Sequence, residues 1–192
     1  MWFQVTDPAD PAHVDAVLAA LQGAAPRCGK VAVVAVDGPS GSGKTTLAKG
    51  LLDVLGCPVV HMDEIFPGWD GLAEAVPLLV NQVLLPLSRG RRGTYRVWDW
   101  EADAWGVSRH VDPGPVLLVE GCASSVGAAG GYAAVRVWVE APRDQRMRRG
   151  LERDGEAYRP HWQRWAAQEQ ALFTADGTRA KADVVVTTGT PA

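Results

Sequence analysis

The chain predicts an α/β domain, a parallel sheet buried between layers of helix. Three observations carry that prediction. Short apolar runs recur at 31–36, 58–62, 116–119, 133–140 and 182–187, the pattern of strands covered on both faces. Segments with helical apolar spacing separate them, as crossovers between parallel strands require. The octapeptide Gly38-Pro39-Ser40-Gly41-Ser42-Gly43-Lys44-Thr45 joins the first strand to the next helix and fits G-x-x-x-x-G-K-[ST] at every constrained position.

The elements follow in order. Pro8 and Pro11 stand near the start of a helix over 8–22, in which Val14, Val17, Leu18 and Leu21 recur until Gly23. Strand one spans about 30–37, and the loop and its helix carry the chain to Leu55. A short strand at 58–62 ends in His61-Met62-Asp63. From Gly71 to Ser88, Leu72, Val76, Leu79, Val80, Val83, Leu84 and Leu87 form one helical stripe that Pro86 should bend or end. Residues 90–115, rich in Gly, Arg and Trp, read as an extended or hairpin-like excursion. The strand at 116–119 ends in Glu120-Gly121, and the strand at 133–140 in Glu140. Helices at 143–153 and 160–173 precede a last strand at 182–187. With no internal repeat or linker, residues 1–192 read as one domain.

Composition narrows the function classes. The net charge of −3 opposes a general nucleic-acid or anionic-membrane surface, which needs excess Lys and Arg. Cys28, Cys57 and Cys122 are odd in number and lack metal-ligand spacing, so free, mostly buried thiols in a reducing cytoplasm are expected. No apolar stretch approaches the ~18 residues of a membrane span. The expected partners are a nucleotide and a small molecule, with no nucleic acid and no membrane, in a monomer or homodimer.

The loop motif specifies a nucleoside triphosphate. Its glycines let backbone N–H groups converge on phosphate oxygens, and the helix N-terminus adds its positive end. Gly38, Ser40, Gly41, Ser42, Gly43, Lys44, Thr45 and Thr46 are the expected nucleotide set. Lys44 should reach the β/γ-phosphates and the Thr45 hydroxyl should sit on Mg²⁺. Glu120 closes its strand where an acidic residue would lie near that Mg²⁺. Asp63, across the phosphate cleft, could take a proton from an attacking hydroxyl or help hold the metal. Asp99 and Glu101, in Trp98-Asp99-Trp100-Glu101, could fix polar groups of an acceptor. Of the eight tryptophans, Trp69, Trp98, Trp100 and Trp105 crowd the same side and suit a flat or ring-shaped organic acceptor.

Between Arg143 and Asp154 lies a basic helix in which Arg146, Arg149 and Arg153 recur at i, i+3, i+7 on one face. Guanidinium groups there could neutralise the phosphoryl group in flight, and the segment, roughly 143–160, could close as a lid that excludes water. Adenine should lie near the last strand, approached by Thr187-Thr188-Gly189-Thr190, with Arg179 stacking on it.

Taken together, GPSGSGKTT, HMDEIF, VLLVEG and DQRMRRGLERD resemble the uridine kinase-like branch of P-loop small-molecule kinases, over most of residues 30–187. The resemblance implies a three-layer P-loop NTPase fold with a five-stranded parallel sheet of order 2-3-1-4-5 and an arginine-rich lid. It implies ATP and Mg²⁺ as cofactors, Asp63 as base, Glu120 as organiser of Mg²⁺, and Arg149 and Arg153 closing on the phosphates. After Asp63, Glu64-Ile65-Phe66-Pro67-Gly68-Trp69 replaces the family's Ser-Phe-Tyr-type continuation, and the acceptor segment is shorter, so the departures fall on the acceptor side. A regulatory ATP-binding protein with no acceptor is the alternative. A GTPase-type switch is disfavoured because Ala180-Lys181-Ala182-Asp183 lacks the Asn of Asn-Lys-x-Asp and precedes the last strand instead of following one.

Overall fold

In the computed structural model, which describes residues 8–155 and 159–189 apart from the side chains of Arg153 and Asp154, seven strands and seven α-helices are built. Asp10 caps the first helix, α1 (Pro11–Gln22), by accepting from the Ala12 N–H, and Pro11 takes the first helical position. Strand β1 (Ala32–Asp37) leads through the phosphate loop into α2 (Lys44–Leu55), which stops at Gly56 in the left-handed region. Strand β2 (Val59–His61) passes into a 3-10 turn, Met62–Glu64.

The stripe from Leu72 to Ser88 forms α3 (Leu72–Leu79), a π-helical turn (Val80–Leu84) and α4 (Leu85–Ser88). Pro86 therefore does not end the helix where it stands. The Leu85 N–H reaches back to the Val80 carbonyl, and this wider turn just before the proline absorbs its missing donor. The excursion is an antiparallel hairpin of β3 (Gly93–Asp99) and β4 (Ala104–Val111), clamped at its base by Arg92 and Asp112 at 2.6 and 3.0 Å. Strand β5 (Val116–Glu120), short helix α5 (Ala128–Tyr132), β6 (Ala133–Glu140), α6 (Arg143–Asp154), α7 (Arg159–Asp176) and β7 (Val184–Thr187) complete the chain.

The sheet order is β2-β5-β1-β6-β7, all neighbours parallel. Counted over the five strands of this sheet alone it reads 2-3-1-4-5, the expected order, whereas counted over all seven strands the numbers differ. Two further strands, β3 and β4, lie between β2 and β5 in sequence but pair only with each other.

Alternation along the strands divides the core. Val34, Val36, Leu118, Val135, Val137 and Val139 face α1 and α2 through Val14, Val17, Leu47 and Leu51. Val33, Leu117, Val119 and Trp138 face the opposite layer, with Leu79, Leu84, Trp165 and Phe173. Register matters for the site: both Val36 and His61 align with Glu120, so the carboxyl ends of β1, β2 and β5 come level beneath the phosphate loop.

Candidate active site

The loop takes the conformation its glycines permit. Gly38, Gly41 and Gly43 have φ of 136°, 77° and 97°. A Cβ on Gly38 would run into the Val139 carbonyl, and one on Gly41 into the backbone of Arg146, so two of the three are also fixed by packing. Asp37, at the end of β1, anchors the loop's start. Its carboxylate, wholly buried, accepts from the N–H groups of Gly38 (2.7 Å), Ala123 (2.8 Å) and Ser125 (2.8 Å) and from the Ser125 hydroxyl (2.8 Å). Burial pushes this carboxyl up to about 6, against the pull of those donors and of Lys44.

Lys44, on the first turn of α2, turns its ammonium to the Pro39 carbonyl (3.0 Å) and the Cys122 sulfur (3.4 Å). The Ser42 hydroxyl is buried and has no hydrogen-bond partner among the described residues. An orphaned donor inside a turn of converging N–H groups beside a lysine fits a phosphate group. Thr46, like Thr45, is partly buried at the start of α2.

Donors for a divalent cation cluster next to the loop. Ligand atoms of His61, Asp63 and Glu120 all lie within 4.8 Å of one another. Glu120 bridges outward: Oε1 meets His61 Nδ1 at 2.7 Å, and Oε2 accepts from the Thr45 hydroxyl at 3.4 Å. Burial alone would lower His61, but its hydrogen bond to Glu120 and the charges of Glu120, Asp63 and Glu64 hold it above the usual imidazole value. Hydroxyl and carboxylate oxygens in this number suit a hard cation such as Mg²⁺, so the residues present fit the metal.

Helix α6 lies directly against the loop. Arg146 donates to the Ser40 carbonyl (3.2 Å) and the Ala141 carbonyl (3.2 Å). Arg149 donates to the Gly41 carbonyl (3.3 Å) and the Thr188 hydroxyl (3.0 Å), and Thr188 in turn donates to the Ser42 carbonyl (2.6 Å). The side chain of Arg153 and residue Thr190 lie outside the described residues. Behind the loop stands a residue the sequence reading missed. Glu169, on the inner face of α7 and 2 % exposed, accepts from the Ser40 N–H (2.7 Å), the Trp165 indole (2.8 Å) and the Cys122 thiol (3.1 Å).

On the side where the sequence reading expects an acceptor, Asp63 is exposed, and the Trp100 indole donates to its backbone carbonyl at 2.9 Å. The Trp69 ring lies 4.9 Å from Trp100, 6.2 Å from Trp165, and stacks on His161 at 4.4 Å. Trp98 packs edge-on against Trp105 instead, at 5.1 Å. Asp99 caps the hairpin turn, its Oδ1 accepting from the N–H groups of Glu101 and Ala102 at 3.0 Å each. That contact gives it a local turn-forming role. Glu64 takes up the Tyr95 hydroxyl (2.8 Å) and Arg109 (3.1 Å). Arg179 forks onto Glu140 at 2.7 and 3.0 Å, beside β7.

Asp37 and Glu169 escaped notice for different reasons. Asp37 could have been found, because a carboxylate closing an otherwise apolar strand must meet donors at once. The burial of Glu169 could have been read from Trp162, Trp165 and Glu169 at i, i+3, i+7, which place a carboxylate on an apolar helical stripe, whereas its contact with Ser40 could not.

No protein-family model matches the chain, and no curated protein matches it either. Solved structures do. A possible uridine kinase from Bacillus stearothermophilus is 23% identical over 91% of this chain and 97% of that one, with a TM-score of 0.63. A candidate fructose transport system kinase from Silicibacter sp. TM1040 is 24% identical over 91% and 97%, with a TM-score of 0.54. At these identities the likeness is one of fold: the chain has the α/β fold of these two structures.

Proposed function

We propose that the protein is an ATP-dependent phosphotransferase that moves the γ-phosphoryl group to a hydroxyl of a small molecule, a nucleoside or similar polyol. One observation carries the reading: an acidic residue beyond those a nucleotide needs, Asp63, stands in the cation-donor cluster with an aromatic wall behind it. A carboxylate there can take the proton of an acceptor hydroxyl, which supports this reading over a protein with no acceptor.

In this reading the 38–45 backbone and Lys44 grip the phosphates. Thr45 and Glu120 would hold Mg²⁺, which offsets phosphate charge when bound. Asp63 accepts the proton of the attacking hydroxyl, while Trp69 and Trp100 flank the acceptor and limit the entry of water. Arg149 and Arg153 stabilise charge on the transferring group, with the 143–160 segment as the lid. Adenine lies by Thr188 and Arg179. Residues 1–192 act as one domain in the cytoplasm, as monomer or homodimer; among the described residues no helix is long and apolar enough to cross a membrane.

The test is ADP release from ATP in the presence of nucleosides, sugars and amino-polyols. At least one class should stimulate release, and Asp63→Asn should cut the stimulated rate by about 10²–10⁴-fold while Mg·ATP still binds. An amide of the same shape cannot take the proton. ATP binding that no acceptor ever turns into faster ADP release would favour a regulatory ATP-binding protein.

A further inference from the structure

Helix α7 reads as a packing helix, with Trp162, Trp165 and Phe173 buried along its inner face. Glu169 interrupts that face with a carboxylate that has almost no access to water. Taking such a charge out of water costs several kcal/mol unless partners replace the solvent. Its partners come from three other places in the chain. The Ser40 N–H belongs to the phosphate loop, the Cys122 thiol to the loop after β5, and Arg146, 3.8 Å from Glu169 Oε2, to α6.

The Ser40 peptide is the centre of this arrangement. Its N–H is held by Glu169 at 2.7 Å and its carbonyl by Arg146 at 3.2 Å. Arg146 also lies 5.8 Å from the centre of the Trp162 ring, which stands about two turns before Glu169 on α7. Ser40, Arg146 and Glu169 thus close a triangle between the loop, α6 and α7. On the far side, Cys122 links Glu169 to the Lys44 ammonium at 3.1 and 3.4 Å, the group that reaches the terminal phosphates.

We infer that Glu169 is a positioning residue for phosphoryl transfer: through Arg146 and the Ser40 peptide it holds α6 and the phosphate loop in one fixed relation. This rests on the kinase reading above and deepens it. The carboxylate touches no substrate. It acts by supplying the anionic partner of a guanidinium that also holds the Ser40 and Ala141 carbonyls, and by stiffening the loop peptide next to it.

Glu169→Gln isolates the charge. The amide oxygen still accepts from Ser40 and Trp165, whereas Arg146 loses its anionic partner. The Arg146–Glu169 contact is a buried ion pair at 3.8 Å, too long for a hydrogen bond, and misplacing the groups it positions corresponds to roughly 10- to 100-fold in rate. Turnover measured as ADP release from ATP should fall by that factor, while ADP affinity, followed by tryptophan fluorescence, should change by less than about threefold. Arg146→Gln should lose as much, and the double variant no more than the worse single one, because both act through one pair. Glu169→Asp, which keeps the charge, should recover part of the rate. Unchanged turnover, additive losses, or a loss of ADP affinity equal to the loss of rate would each overturn the inference. If the wild-type protein neither binds ADP nor releases it from ATP, the kinase reading falls first and this inference with it.

Discussion

Asp37 combines four donors with complete burial, and the two pull its carboxyl in opposite directions. Burial favours the protonated form more than the Ser125, Gly38 and Ala123 contacts favour the anion, which leaves the group near 6 against 3.8 in an exposed chain. The linkage has a definite sign. Between about pH 4 and 6 the folded chain keeps a proton that the unfolded chain has released, so this group's contribution is fully present below 3.8 and is lost as pH rises through about 6. Asp37→Asn removes the titration. Urea unfolding at a series of pH values should show the stability gap moving toward the asparagine variant across that window, by at most about 3 kcal/mol. A gap moving the other way would mean the four donors win and the anion is the favoured state. At this scale the sequence was legible where a motif forces a geometry, as in Gly38 to Thr45. It was illegible where a residue's meaning depends on partners far away in the chain. Glu169 meets Ser40 across 129 positions, and no local pattern announces that contact.

Helices α6 and α7 show the same division at the scale of elements. The arginine face of α6 could be read from the i, i+3, i+7 spacing, because helix geometry alone puts those side chains together. What that face meets could not be read, and it meets carbonyl oxygens of the phosphate loop through Arg146 and Arg149. The turn at Val80–Leu84 is a second case. A proline at 86 signals a break, yet only the packing of Val83 and Leu84 in the core makes a wide helical turn preferable to ending the helix. The order of the five sheet strands is the expected one, and the Trp-rich excursion adds two strands that are counted along the chain but not in the sheet. The prediction belonging to α6 concerns rate. Arg149 donates to neutral partners, Gly41 and Thr188, and in the proposed transfer the negative charge on the phosphoryl group would be a stronger acceptor than either. Arg149→Ala should lower maximal turnover about 10²-fold or more while weakening ADP binding by much less. A loss confined to ADP affinity would make Arg149 a ground-state contact.

At the scale of the molecule, the phosphate loop lies between the two halves of the core. Asp37 and β1 belong to the sheet packed on both sides, α2 contributes Leu47 and Leu51 to one layer, and Glu169 reaches the loop from the layer that holds Trp165 and Phe173. A ligand seated on the loop therefore touches elements from both layers, and its binding energy should be felt by the whole fold and not by one subdomain. Linkage sets the size of the effect: a nucleotide at about 100 times its dissociation constant adds roughly 2.7 kcal/mol to the folded state. For a chain of this length each kcal/mol moves the midpoint by about 2–4 °C, so ADP should raise a single thermal transition by roughly 5–11 °C. Scanning calorimetry with and without ADP checks this directly. The protein should unfold in one step in both conditions, and Lys44→Ala should keep the unliganded midpoint within a few degrees while losing most of the shift. Two transitions, of which only one responds to ADP, would show that the layers on either side of the sheet unfold independently. The loop would then be coupled to one of them alone, and the contact from Glu169 would be too weak to join the two.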